Sequence, residues 1–210
     1  MKSIFILDVD NTIVPFQPTK LLYQNIFLKE KRIKYLLIAR IMIALLRYFW
    51  IIPGVVKFQR KWIMSLFSRV DQSLLEIESK KIASIVLSDY KKNLGVRLEK
   101  ITKPGDSIFF LSHCPQIITE KLAFGLSAQR EYSIPIQDYL KNKVALKNFD
   151  KEIIIKEIKK EFPQATIYFF ADDLIDLKAL KVADKAVLVN GSMFTKIFCK
   201  YLAKDIEIWD

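Results

Sequence analysis

Two stretches of this chain carry large apolar side chains in unbroken succession: SIFIL (3–7) and TIYFFA (166–171). A half-buried strand would alternate apolar with polar residues. An unbroken run suits a strand covered on both faces of a parallel sheet. SIFFL (107–111) and AVLVN (186–190) read the same way, and a mixed stretch near 131–140 reads as a further short strand. Between them lie helical patterns. IITEKLAFGLSA (117–128) follows Pro115, a residue suited to a first helical turn. EIIIKEIKKEF (152–162) places Ile153, Ile154, Ile158 and Phe162 on one side. Strands alternating with helices predict an α/β fold, a doubly wound parallel sheet.

Residues 17–100 differ in kind. Strong strand patterns are absent, and helices are expected over 19–50, 55–68 and 72–93. The last carries Leu74, Leu75, Ile77, Ile82, Ile85 and Val86 at helical spacings. The expected organisation is therefore a catalytic core from residues 1–16 and 101–210, interrupted by a helical cap over 17–100.

Both unbroken strands run into acids. The first ends at Asp8-Val9-Asp10-Asn11-Thr12, the other at Asp172, Asp173 and Asp176. In open parallel sheets the site lies beyond the carboxyl ends of the strands. Carboxylates gathered there raise one another's pKa, and a hard cation is the natural neutraliser. All-oxygen ligands with room for water and phosphate suit Mg²⁺. Asp173 has two readings: an acceptor just outside the ligand set, or the N-cap of the helix LIDLKALKVA.

These motifs resemble those of the haloacid dehalogenase (HAD) superfamily. Asp8 to Thr12 resembles its first motif, DxDxT. Ser112, after SIFFL, resembles the second. Asp172 and Asp176 resemble the fourth, with Ala171 where a glycine is usual. Lys151 best fits the spacing of the superfamily's lysine, with Lys147 the next candidate. The resemblance covers residues 1–16 and about 101–210. It implies a phosphatase in which Asp8 is the nucleophile and Asp10 the general acid and base. Thr12, Asn11, Ser112 and Lys151 would bind the phosphoryl group. Asp8, the backbone carbonyl of Asp10, and Asp172 would hold Mg²⁺, with Asp176 in or near the shell. A helical insert between the first and second motifs resembles the cap of the phosphoserine-phosphatase-like branch, a lid over the site.

Composition adds an asymmetry. Residues 15–100 hold 17 Lys and Arg against 6 Asp and Glu, while the rest of the chain holds 17 of each, so the whole +11 excess lies in that segment. Such a bias suggests an anionic partner. The same segment is apolar: in YLLIARIMIALLRYFWIIPGVV (35–56) only Arg40 and Arg47 are charged. Two central arginines and a Pro53-Gly54 break argue against a spanning helix. Basic flanks with Trp50 and Trp62 leave two readings: a helix on an anionic membrane surface, or one buried within its own small bundle. Cys114 and Cys199 do not form a disulfide framework. Cys114 reads as a small buried residue, and His113, the single histidine, as a loop-shaping one. The expected location is cytoplasmic, with possible contact at the inner membrane face.

The substrate is less legible. Gln17 stands where phosphoserine phosphatases carry a glutamate that binds the substrate amine, and His113-Cys114 replaces their Gly-Gly. In length and cap character the chain resembles bacterial phosphatidylglycerophosphate phosphatases of the HAD type. The expected partner is a phosphorylated small molecule or a lipid headgroup. No nucleic-acid-binding motif is present.

Overall fold

The computed structural model describes residues 2–29, 70–135, 149–202 and 206–209. Six strands form one sheet: β1 (Ser3–Leu7), β2 (Ser107–Pro115), β3 (Arg130–Ile134), β4 (Thr166–Ala171), β5 (Lys185–Val189) and β6 (Ile206–Trp209). Their order is β3-β2-β1-β4-β5-β6, and every pair is parallel. The expected doubly wound parallel sheet is present. Chain direction reverses its progress across the sheet between β1 and β4, the switch point where such folds open a crevice.

β1 shows why an unbroken apolar run was needed. Phe5 and Leu7 enter one hydrophobic cluster with Phe110 and Phe170. Ile4 and Ile6 enter another, with Phe109, Leu111 and Phe169. Successive side chains point to opposite faces, and both faces are covered. Each such burial contributes about 1.5–3 kcal/mol. Phe5 also stacks on Tyr168 directly across the β1–β4 pair, ring centroids 4.7 Å apart.

One face is covered by α1 (Pro18–Lys29), α2 (Gln72–Lys92), α3 (Leu94–Glu99) and α4 (Gln116–Gly125). The other is covered by α5 (Lys151–Glu161) and α6 (Leu177–Val182). A last helix, α7 (Met193–Leu202), packs on β6 and on the short 3₁₀ turn Leu174–Asp176. Neither α7 nor β6 was expected from the sequence.

Several expectations shift. β2 runs on to Pro115, with a register break between Leu111 and Pro115. Pro115 is therefore the N-cap of α4 rather than part of its first turn. LIDLKALKVA opens as the 3₁₀ turn before becoming α6. The described ends of segment 17–100 also pack on the sheet itself. Leu22, Tyr23, Leu75, Ile82 and Leu98 share one cluster with Phe5 and Leu7. Buried Glu78 of α2 accepts from Asn25 and Lys29 of α1, which ties the two helices together. Lys147 and the stretch 35–56 lie outside the described residues.

Candidate active site

The register brings the acidic strand ends together. Leu7 pairs with Phe170 of β4 and with Phe110 of β2. The Asp8 amide donates to the Phe170 carbonyl at 3.0 Å, so Asp8 leaves the sheet level with Ala171, one residue before Asp172. Ala171 is the last residue of β4 and has no positive φ. A glycine is not required there.

Lys151, first residue of α5, supplies the opposite charge. Its Nζ lies 2.9 Å from Asp8 Oδ2 and 2.7 Å from Asp176 Oδ2. All three side chains are buried. Burial alone would lower the lysine pKa, but Asp176 and Asp8 outweigh it and the pKa is raised. An ammonium in the first turn of a helix opposes the helix dipole; the two carboxylates provide the compensation. Asp150 caps the same helix by accepting from the Glu152 amide at 2.9 Å.

Asp172 is in a different state. Burial, then the charges of Asp8 and Asp173, push its carboxyl up to about 8, while a hydrogen bond from Asn11 pulls the other way. The crowding of Asp172 with Asp8 is thus only partly relieved by protein groups. Asp173 occupies the N-cap position of the 3₁₀ turn, but its side chain makes no capping bond; its backbone carbonyl accepts from the Asp176 amide.

The loop after β1 is shaped by a positive φ of 58° at Asn11, a conformation asparagine tolerates better than most residues. Asp10 turns toward α1, where the Thr19 hydroxyl donates to Oδ2 at 2.8 Å and the Thr19 amide donates to Oδ1 at 3.2 Å. Asn190, also at positive φ (54°), donates through Nδ2 to the Asn11 carbonyl at 3.1 Å. Thr12 is buried, and its hydroxyl has no hydrogen-bond partner among the described residues. Buried Ser112 sits at the register break of β2 and accepts from the Cys114 amide at 3.1 Å. Cys114 is buried with its thiol pKa pushed up by that burial, and His113 packs edge-on against Phe149.

The residues expected at the site therefore divide. Asp8, Asn11, Lys151, Asp172 and Asp176 form one linked cluster. The Asp176 carboxylate meets the lysine at 2.7 Å. The Asp10 side chain accepts from Thr19. Thr19 and Asn190 were missed by the sequence reading. The helix start at Pro18-Thr19, close behind Asp10, is the one local signal that could have found Thr19.

The donor set can be tested against a divalent cation. Among the described residues no three His, Cys, Asp or Glu side chains converge closely enough to cage a metal alone. Asp8 and Asp172 remain as two carboxylates whose crowding the protein relieves only in part. A pair of carboxylates, completed by a backbone carbonyl and water, fits Mg²⁺, which keeps several waters and rarely needs an all-protein cage.

No protein-family model matches this sequence, and no curated protein matches it. Solved structures do. A protein of unknown function from Bordetella pertussis Tohama I superposes with a TM-score of 0.70 at 10% identity, over 100% of this chain and 99% of that one. A phosphoserine phosphatase in its apo form superposes with 0.61 at 12% identity, over 100% and 94%. A HAD family hydrolase from Salmonella enterica subsp. enterica serovar Typhi gives 0.56 at 13% identity, over 93% and 65%.

Proposed function

We propose that this chain, which has the HAD-type fold of phosphoserine phosphatases, hydrolyses phosphomonoesters through a phosphoaspartyl intermediate on Asp8. The observation that carries the reading is Lys151 Nζ held between Asp8 and Asp176 at the switch point of the sheet. A buried ammonium 2.9 Å from the Asp8 carboxylate sets positive charge where a phosphoryl group would meet the nucleophile.

In the first step an Asp8 oxygen forms a bond to phosphorus while the bond from phosphorus to the leaving oxygen breaks. Asp10 gives its proton to that oxygen. In the second step Asp10 takes a proton from water, whose oxygen attacks the phosphoaspartate, releasing phosphate and restoring Asp8. Lys151 stabilises charge on the phosphoryl oxygens. Ser112 and the orphan hydroxyl of Thr12 donate to the phosphoryl group, and Asn11 holds Asp172 in place. Asp8, Asp172 and the Asp10 carbonyl would hold Mg²⁺, which would screen the repulsion between anionic nucleophile and anionic substrate.

The substrate class is a phosphorylated small molecule. A second reading, a phospholipid headgroup at a membrane surface, draws on the basic and apolar sequence of 35–56 and on Gln17, where the phosphoserine-binding glutamate is missing. Among the described residues no helix is long and apolar enough to cross a membrane. The helical insert expected over 17–100 is proposed as what selects between these substrates.

The test is a panel of phosphoserine, sugar phosphates, lysophosphatidate and phosphatidylglycerophosphate with Mg²⁺, run beside Asp8→Asn. Release of phosphate by the wild type and its absence from the folded variant is the expected outcome. Equal turnover by both proteins removes Asp8 from the role.

A further inference from the structure

Helix α7 is amphipathic in the inverted sense. A surface helix ordinarily turns its apolar stripe inward. Here Thr195 and Cys199 face in, and the large apolar residues face out. Met193 is 78% exposed, Phe194 54%, Ile197 57% and Tyr201 84%. Spaced four apart, Met193, Ile197 and Tyr201 form one row, with Phe194 and Phe198 in the next. The latter two rings touch, with centroids 4.5 Å apart. Lys196 and Lys200 run along one border of this face, and α7 contains no acid. The helix abuts the candidate site: it packs on the Leu174–Asp176 turn, and the Asp173 charge helps raise the Cys199 thiol pKa, after burial. Ile175, in that turn, is also exposed.

We infer that this face of α7, a helix packed on the Leu174–Asp176 turn, docks on the surface of an anionic lipid bilayer. The face is about 15 Å long and offers on the order of a few hundred Å². A stable dimer needs roughly 800 Å² from each partner, so a second copy would be poorly held by this face alone. A bilayer sets no such minimum. Apolar side chains sink into the boundary between headgroups and acyl chains, lysines at the border meet anionic headgroups, and tyrosine suits the boundary itself. The inference deepens the lipid-headgroup reading and rests on it for the purpose of docking; the docking itself does not require Asp8 chemistry.

The experiment is flotation at physiological salt with vesicles of equal parts phosphatidylcholine and phosphatidylglycerol, and with phosphatidylcholine alone. Turnover of p-nitrophenyl phosphate is read in the same samples. The wild type floats with the anionic vesicles. Phe194→Ser/Phe198→Ser/Tyr201→Ser floats roughly tenfold less, and Lys196→Gln/Lys200→Gln shows a shallower salt dependence. Both variants keep wild-type turnover, since none of these residues belongs to the site. Three results overturn the docking face. The wild type fails to float; the triple variant floats as well as the wild type, which locates binding elsewhere; or size exclusion shows a dimer that the triple variant dissolves. In each case intact turnover leaves the phosphatase reading standing.

Discussion

The Lys151 ammonium lies 2.9 Å from the Asp8 carboxylate, joining the start of α5 to the end of β1 in a buried ion pair. With Asp176 on its other side, Lys151 neutralises charge that the sheet's switch point gathers. Lys151→Met removes the buried cation between Asp8 and Asp176, which costs about 3–5 kcal/mol of stability at neutral pH. Activity falls about a hundred- to a thousandfold. Denaturant titrations, beside steady-state rates, check this. A variant as stable and active as the wild type refutes it.

Asp172 predicts a pH-dependent response to cation. Its folded-state pKa of about 8 lies above the ordinary 3.8. Between those values the metal-free fold holds a proton that the unfolded chain releases, so this group's contribution to stability falls as pH rises toward 8. Mg²⁺ must displace that proton. It binds more tightly above pH 8 than well below it, raises the melting temperature more there, and releases up to about one proton per ion. Calorimetry in buffers of different ionisation enthalpy measures the release. An affinity independent of pH contradicts the placement, as does Asp172→Asn with an unchanged Mg²⁺ titration.

Thr19 positions Asp10 through both its hydroxyl and its amide. Thr19→Val removes one hydrogen bond to a carboxylate, worth about 1.5–3 kcal/mol. The expected loss is about tenfold or more in kcat/KM for alkyl phosphates, whose leaving oxygen needs a proton. It is smaller for p-nitrophenyl phosphate, whose leaving group departs as an anion. Thr19→Ser restores the rate. Equal losses on both substrates would mean that Thr19 acts through folding alone.

Ile82 of α2 is fully buried in the cluster that holds Phe5 and Leu7. Ile82→Ala costs about 2–5 kcal/mol and lowers the single unfolding transition that also abolishes activity. A separate early transition with activity retained would mean that α2 belongs to a body distinct from the sheet.

Much of the sheet was legible because a strand covered on both faces leaves a strong local signature. SIFIL and TIYFFA have no polar side, and the acids that follow them are near in sequence to what positions them. What escaped depends on long-range packing. Asn190 supports the Asn11 carbonyl from 179 residues away, and nothing in AVLVN marks its last residue for that task. The helix expected over 72–93 formed over Gln72–Lys92, but periodicity cannot say which surface an apolar stripe meets, and it meets the sheet. In α7 the same ambiguity runs the other way, since the apolar residues face out. The resemblance puts Asp176 in or near a metal shell; its contact with Lys151 at 2.7 Å depends on packing that the motif does not carry.

The most direct test of the central claim is mass spectrometry of the protein quenched in acid during turnover of a phosphomonoester with Mg²⁺. A phosphoryl group on the peptide carrying Asp8, absent from Asp8→Asn and accumulating in Asp10→Asn, is the predicted result. Steady turnover with Asp8 never modified, or a phosphoryl group found on another residue, would contradict it.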